Sequence, residues 1–166
     1  MLTHLLYPTA TNLNRMATLK DQLHADLTSS MKARDELTTA TLRMLLTAVT
    51  NEEVSGTTAR ELSDDEVLKV VNREAKKRRE AAQAFGDAGR TEQAQRERDE
   101  ETVLTRYLPK QLDDAELTAL VAAAISEAGA TEPRQMGLVM KAVQPKIAGR
   151  ADGKRVSEEV KRQLAG

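Results

Sequence analysis

The sequence has no cysteine, no tryptophan, one phenylalanine, two tyrosines and two histidines in 166 residues. Without cysteine there is no disulfide framework, no thiol nucleophile and no cysteine-based zinc site. With only His4 and His24, a histidine-rich metal centre or a histidine-based triad is nearly excluded, so neither a metal nor a cofactor is expected. No run approaches the ~18 consecutive apolar residues of a membrane span, and no basic–apolar–small-residue leader is visible. The expectation is a cytoplasmic protein with no membrane partner. Charge of one sign is also lacking: 25 Lys and Arg face 26 Asp and Glu, for a formal net charge of −1. That excludes a generally basic nucleic-acid coat but allows local basic patches.

What the chain does have is alanine and leucine, 24 and 20 residues, against 13 valine and isoleucine together. Ala and Leu lose little side-chain entropy in a helix, whereas sheets favour the β-branched and aromatic residues that are scarce here. The balance excludes a β-sandwich or barrel and points to an all-α, multihelical fold.

Residues 1–15 show no helical period and read as a disordered extension. Thr18 to Asp21 is an N-cap with an acid three residues on, followed by Leu19, Leu23, Leu27 and Met31 at helical spacing. Leu42, Leu45, Leu46 and Val49 form a second apolar face. Ser63-Asp64-Asp65-Glu66 is a capping box for a helix expected to run to about Phe85 and to break at Gly86 and Gly89. Thr91 starts a fourth helix. Asp113 caps a fifth, stopped by Gly129. A short helix from Thr131 carries Met136, Val139, Met140 and Val143 and is expected to end at Pro145. Lys146 to Val156 reads as a loop, with Ser157 capping the last helix. Two subdomains follow, 16–108 and 109–166.

Two basic features stand out. Arg73, Lys76, Lys77, Arg78 and Arg79 put five basic residues in seven on one helix. The apolar line Val67, Val71, Ala75, Ala82 and Phe85 places Arg78 beside the buried seam, where it must snorkel or meet an acid from another helix. The run reads either as a nucleic-acid contact or as a solvated face with intrahelical ion pairs. Lys146 to Arg162 carries six basic and three acidic residues around Gly149 and Gly153. Such a loop leading into a helix suits a phosphate, or it is an ordinary turn in which Asp152 bonds the backbone. Ser29-Ser30-Met31-Lys32 matches S-x-x-K, but no S-D-N or K-T-G element completes it, and no catalytic residue is singled out.

Met136-Gly137-Leu138-Val139-Met140, Lys146, Gly149-Arg150-Ala151-Asp152-Gly153 and Val156 together resemble the GatB/YqeY family. The likeness extends upstream through Lys77-Arg78-Arg79-Glu80, Ala88-Gly89-Arg90 and Tyr107-Leu108-Pro109-Lys110-Gln111-Leu112. The resemblance implies two helical subdomains, the second similar to the tail domain of the glutamyl/aspartyl-tRNA amidotransferase B subunit. In that larger enzyme the tail contacts tRNA, while glutamine hydrolysis and activation of the charged amino acid lie elsewhere. The leading expectation is therefore an accessory module that binds tRNA or another structured RNA, associated with tRNA-dependent amide formation and without a catalytic centre of its own. Lys146, Arg150, Lys154 and Arg155 would make the contacts, with Lys76, Lys77 and Arg79 as a second set. The alternatives are a component of a glutamine-dependent carbon–nitrogen ligase working with other amidotransferase subunits, and a helical protein-interaction module using the Met136–Met140 face.

Overall fold

The computed structural model describes residues 17–166; the extension expected at 1–15 lies outside them. The all-α expectation holds. The described residues form seven helices and one 3₁₀ turn with no strand: α1 (Leu19–Lys32), α2 (Glu36–Glu53), α3 (Asp64–Asp87), α4 (Thr91–Thr105), α5 (Asp114–Ala128), the 3₁₀ turn Pro133–Gln135, α6 (Met136–Ile147) and α7 (Gly153–Ala165). None of these helices is long and apolar enough to cross a membrane.

Local chemistry sets most of the boundaries. Reciprocal capping boxes open α1, α3 and α5 at Thr18, Ser63 and Asp113, each satisfying two otherwise orphaned backbone donors. At α3 the box is reinforced from outside, because Arg60 grips Glu66 through both guanidinium nitrogens at 2.9 and 2.7 Å. Those bonds and the Ser63 backbone N–H hold the Glu66 carboxyl down at about 2. Gly129 ends α5 in the left-handed region at φ +63.

The buried apolar residues fall into two clusters. One joins Leu23 of α1, Leu42, Leu45 and Val49 of α2, Val67, Val70 and Val71 of α3, and Val103 and Leu104 of α4. The other joins Leu117, Val121 and Ala124 of α5, Val139, Val143 and Ile147 of α6, and Val156, Val160 and Leu164 of α7. Among the described residues, helix-on-helix packing runs within α1–α4 and within α5–α7, and no helix pair bridges the two groups.

Four expected boundaries are corrected. The helix expected from Thr131 begins instead with the 3₁₀ turn at Pro133, where the Gln135 side chain accepts from the Thr131 and Glu132 backbone N–H groups at 2.8 and 3.1 Å. Helix α3 passes through Gly86 and stops at Asp87, and Gly89, at φ +73, turns the chain into α4. Pro145 does not end α6, which runs on to Ile147. A proline in the last turn removes one backbone bond, and two guanidinium bonds from Arg150 cap the carbonyls of Lys146 (2.8 Å) and Ile147 (3.3 Å). The expected loop from Lys146 to Val156 shrinks to residues 148–152. Asp152, not Ser157, caps α7, its carboxylate accepting from the Lys154 N–H at 3.0 Å. The Ser157 hydroxyl instead donates to the Lys154 carbonyl.

Candidate nucleic-acid interface

Lys69, Arg73, Lys76 and Arg79 recur on α3 at spacings of four, three and three residues, which the helical pitch stacks into one row. The row forms a wall of a cleft of about 640 Å³. The facing wall is the α6–α7 connection, including Pro145, Ala148, Gly149, Asp152 and Gly153, and Leu68, Leu108, Ile147 and Val156 add apolar lining. Four cations in the lining therefore meet two carboxylates, Asp65 and Asp152. The walls are tied lightly: the Lys76 ammonium lies 3.7 Å from the Asp152 carboxylate. Gly149 adopts φ +76, and an added Cβ would stand 3.8 Å from the Asn72 amide nitrogen. That is ordinary contact, so backbone conformation rather than crowding calls for glycine here.

The row is charge-compensated at its edges. Arg73 pairs with Glu52 of α2 at 3.2 Å, and Arg79 with Glu101 of α4 at 2.7 Å. Lys69 is exposed and has no ion-pair partner among the described residues. Lys77, expected in the second contact set, does not line the cleft. It pairs with Glu74 one turn away at 3.0 Å, an exposed ammonium on a carboxylate side chain only 11% exposed. Lys69 was accessible to sequence reasoning as the residue four before Arg73.

The turn residues divide by use. Arg150 is half-buried and spent on capping α6. Arg155 bonds the Leu112 carbonyl at 3.0 Å and Asp114 at 2.9 Å, tying the start of α5 to α7. Lys146 reaches Glu127 of α5 at 2.9 Å. Lys154 is the most exposed of the four and pairs loosely with Glu158 at 3.9 Å. None of these four lines the cleft, whose cationic wall comes from α3 alone.

Arg78 meets its acids from a neighbouring helix. With its side chain 17% exposed, its guanidinium stands 3.0 Å from Glu100 and 3.8 Å from Glu97 of α4, and 4.0 Å from Glu74 of its own helix. It is a clamp between α3 and α4, turned away from the cleft lining. The Met136–Met140 face is divided: Val139 is fully buried, Met136 and Met140 pack partly against the second cluster, and Leu138 is exposed. Of the S-x-x-K serines, Ser29 is exposed, whereas Ser30 is buried and shares a 2.8 Å hydroxyl bond with Thr39. No group of three metal-ligating side chains occurs among the described residues.

No curated protein resembles the chain at a level that marks a relative. A family profile described as Yqey-like protein matches residues 20–164. That span takes in the α3 row, the cleft and the α6–α7 turn, omitting only the first residue of α1 and the last of α7. The chain belongs to the family of Yqey-like proteins.

Proposed function

We propose that the protein is an accessory module that binds tRNA or another structured RNA, in or beside tRNA-dependent amide formation, with residues 109–166 serving as its tail-like unit. The observation that supports this is the row Lys69, Arg73, Lys76 and Arg79 along one cleft wall, a local excess of positive charge in a chain of net charge −1. Exposed Lys154 adds a cation beyond the cleft on the adjoining turn. Cations in such a row suit successive phosphates, which position an RNA without reading its sequence. The resemblance of the C-terminal residues to the amidotransferase tail selects tRNA among polynucleotides. The row's ion pairs sit at the surface, where each is worth about 0–1 kcal/mol, so exchanging a carboxylate for a phosphate costs little.

The test is fluorescence anisotropy of labelled total tRNA titrated with protein at several salt concentrations, beside a Lys76→Ala/Lys154→Ala variant. Arg155 is left intact because it also anchors Leu112 and Asp114. Binding should weaken with salt, and the variant should lose affinity and about 0.7–0.9 of log–log slope per phosphate contact removed. An unchanged slope removes these two residues from the interface. No binding at low salt overturns the function.

A further inference from the structure

We infer that the cleft between α3 and the α6–α7 turn seats an unpaired RNA strand, with the Asp152 carboxylate holding Lys76 until a phosphate displaces it. The inference rests on the RNA-binding reading above and goes further, naming which part of an RNA enters the cleft and which residue opposes its entry.

Size comes first. At about 640 Å³ the cleft falls in the ~300–1,000 Å³ range of sites that enclose small molecules. It is a space for nucleotide-sized units. A helical duplex presents its phosphates on a broad outer surface and can touch only the rim. Chemistry comes second, because the lining is two-faced. From Lys69 to Arg79 the cationic row extends about 15 Å along α3, while Leu68, Leu108 and Ile147 offer aliphatic surface beside it. An unpaired strand has both matching parts, a charged backbone and exposed base faces. The lining contains no aromatic ring, so bases would rest on aliphatic side chains, giving contacts that tolerate any sequence.

Asp152 supplies the opposition. One of its carboxylate oxygens accepts the Lys154 N–H and caps α7, while the other faces Lys76 across the cleft. The acid thus competes with any phosphate for that lysine. An asparagine would keep the capping oxygen, being equally favoured as an N-cap, and would delete the competing charge. Gln144 gives the second handle. It is exposed and lines the cleft, and among the described residues its side chain has no hydrogen-bond partner, so Gln144→Glu sets a negative charge in the cleft at unchanged size.

The experiment measures anisotropy of a short labelled single-stranded RNA, and of the same sequence as a duplex, against wild type, Gln144→Glu and Asp152→Asn, with circular dichroism confirming helicity. Single-strand binding should weaken about two- to fivefold in Gln144→Glu, in line with one carboxylate set among partly solvated charges, while the duplex is unaffected. It should tighten about two- to fivefold in Asp152→Asn, in line with the strength of an exposed ion pair. A gain of affinity cannot arise from misfolding. If neither variant changes single-strand binding, or if Gln144→Glu weakens duplex and single strand equally, the inference is overturned. The RNA-binding function then still stands wherever the Lys76→Ala/Lys154→Ala variant lowers the salt slope. If wild type binds neither RNA nor tRNA, both fall together.

Discussion

Replacing Arg78 by methionine removes one charge from the α3–α4 contact while keeping an unbranched apolar stem to fill its place. The Arg78 side chain is only 17% exposed, and Glu74 and Glu100 beside it have side chains only 11% and 10% exposed. Breaking a fully buried pair by removing one member costs about 3–5 kcal/mol, because a charge is left without compensation. Two features reduce that here. Lys77 stays 3.0 Å from Glu74 and Arg96 3.3 Å from Glu100, and the cluster borders solvent. The expected loss is about 2–3 kcal/mol, which lowers the melting temperature by roughly 5–10 °C for a chain of this length. Urea unfolding followed by circular dichroism measures it, with the denaturant slope unchanged if only stability has shifted. Adding Glu100→Gln to Arg78→Met should recover about 1 kcal/mol or more relative to the sum of the single changes. If Arg78→Met stays within about 0.5 kcal/mol of wild type, or the two changes simply add, the carboxylates are solvated without the guanidinium and the clamp does not exist.

Two further outcomes are expected. Ala148 sits at φ +47, left-handed and not glycine, so Ala148→Gly should stabilise the protein by about 0.5 kcal/mol, relief of Cβ strain exceeding the added freedom of the unfolded chain; a lower urea midpoint would contradict this. Hydrogen bonds from Arg162 and Gln163 hold the Glu159 carboxyl on α7 at about 2, below its ordinary 4.5. A depressed folded value means stability that is complete above about 4.5 and drains away as the pH falls toward about 2. Melting curves over that window should flatten in Glu159→Gln, and a wild-type slope in the variant would assign the acid sensitivity to other carboxylates.

The sequence carried the helices through their caps, since Thr18, Ser63 and Asp113 each sit three residues ahead of the acid that completes the box. Arg78 was legible for a similar reason: on a helix whose seam is fixed by Val67, Val71 and Ala75, a buried guanidinium must find acid elsewhere. The α6–α7 region was misread because its signals compete. Pro145 looks like a terminator, but what lets α6 continue is a side chain five residues later, Arg150, folding back on the exposed carbonyls. Asp152 and Ser157 are both good caps. Val156, Val160 and Leu164, buried at four-residue spacing, decide between them, because the first of the three must already be helical to reach the core. The cleft was not legible at all, since it depends on how two groups of helices sit side by side. Local periodicity encodes the α3 row but not the wall it faces.

Helix α3 is 24 residues long, about 36 Å at the α-helical rise, and its inner and outer halves are fastened differently. The inner half is packed by Val67, Val70, Val71 and Ala75 against α2 and the end of α4. Beyond Arg78, the buried apolar residues of the α3–α4 pair are only Ala82 and Ala94, and the remaining ties are ionic, through Arg78 and through Arg79 with Glu101. The pair is in effect a spar bolted at its root and laced at its tip. Added salt loosens lacing far more than bolts, and opening free energy falls where apolar contact is thin. Amide exchange should therefore quicken outward along α3 toward Gly86. The tip can yield under load while the root keeps Lys69, Arg73 and Lys76 aligned with the cleft.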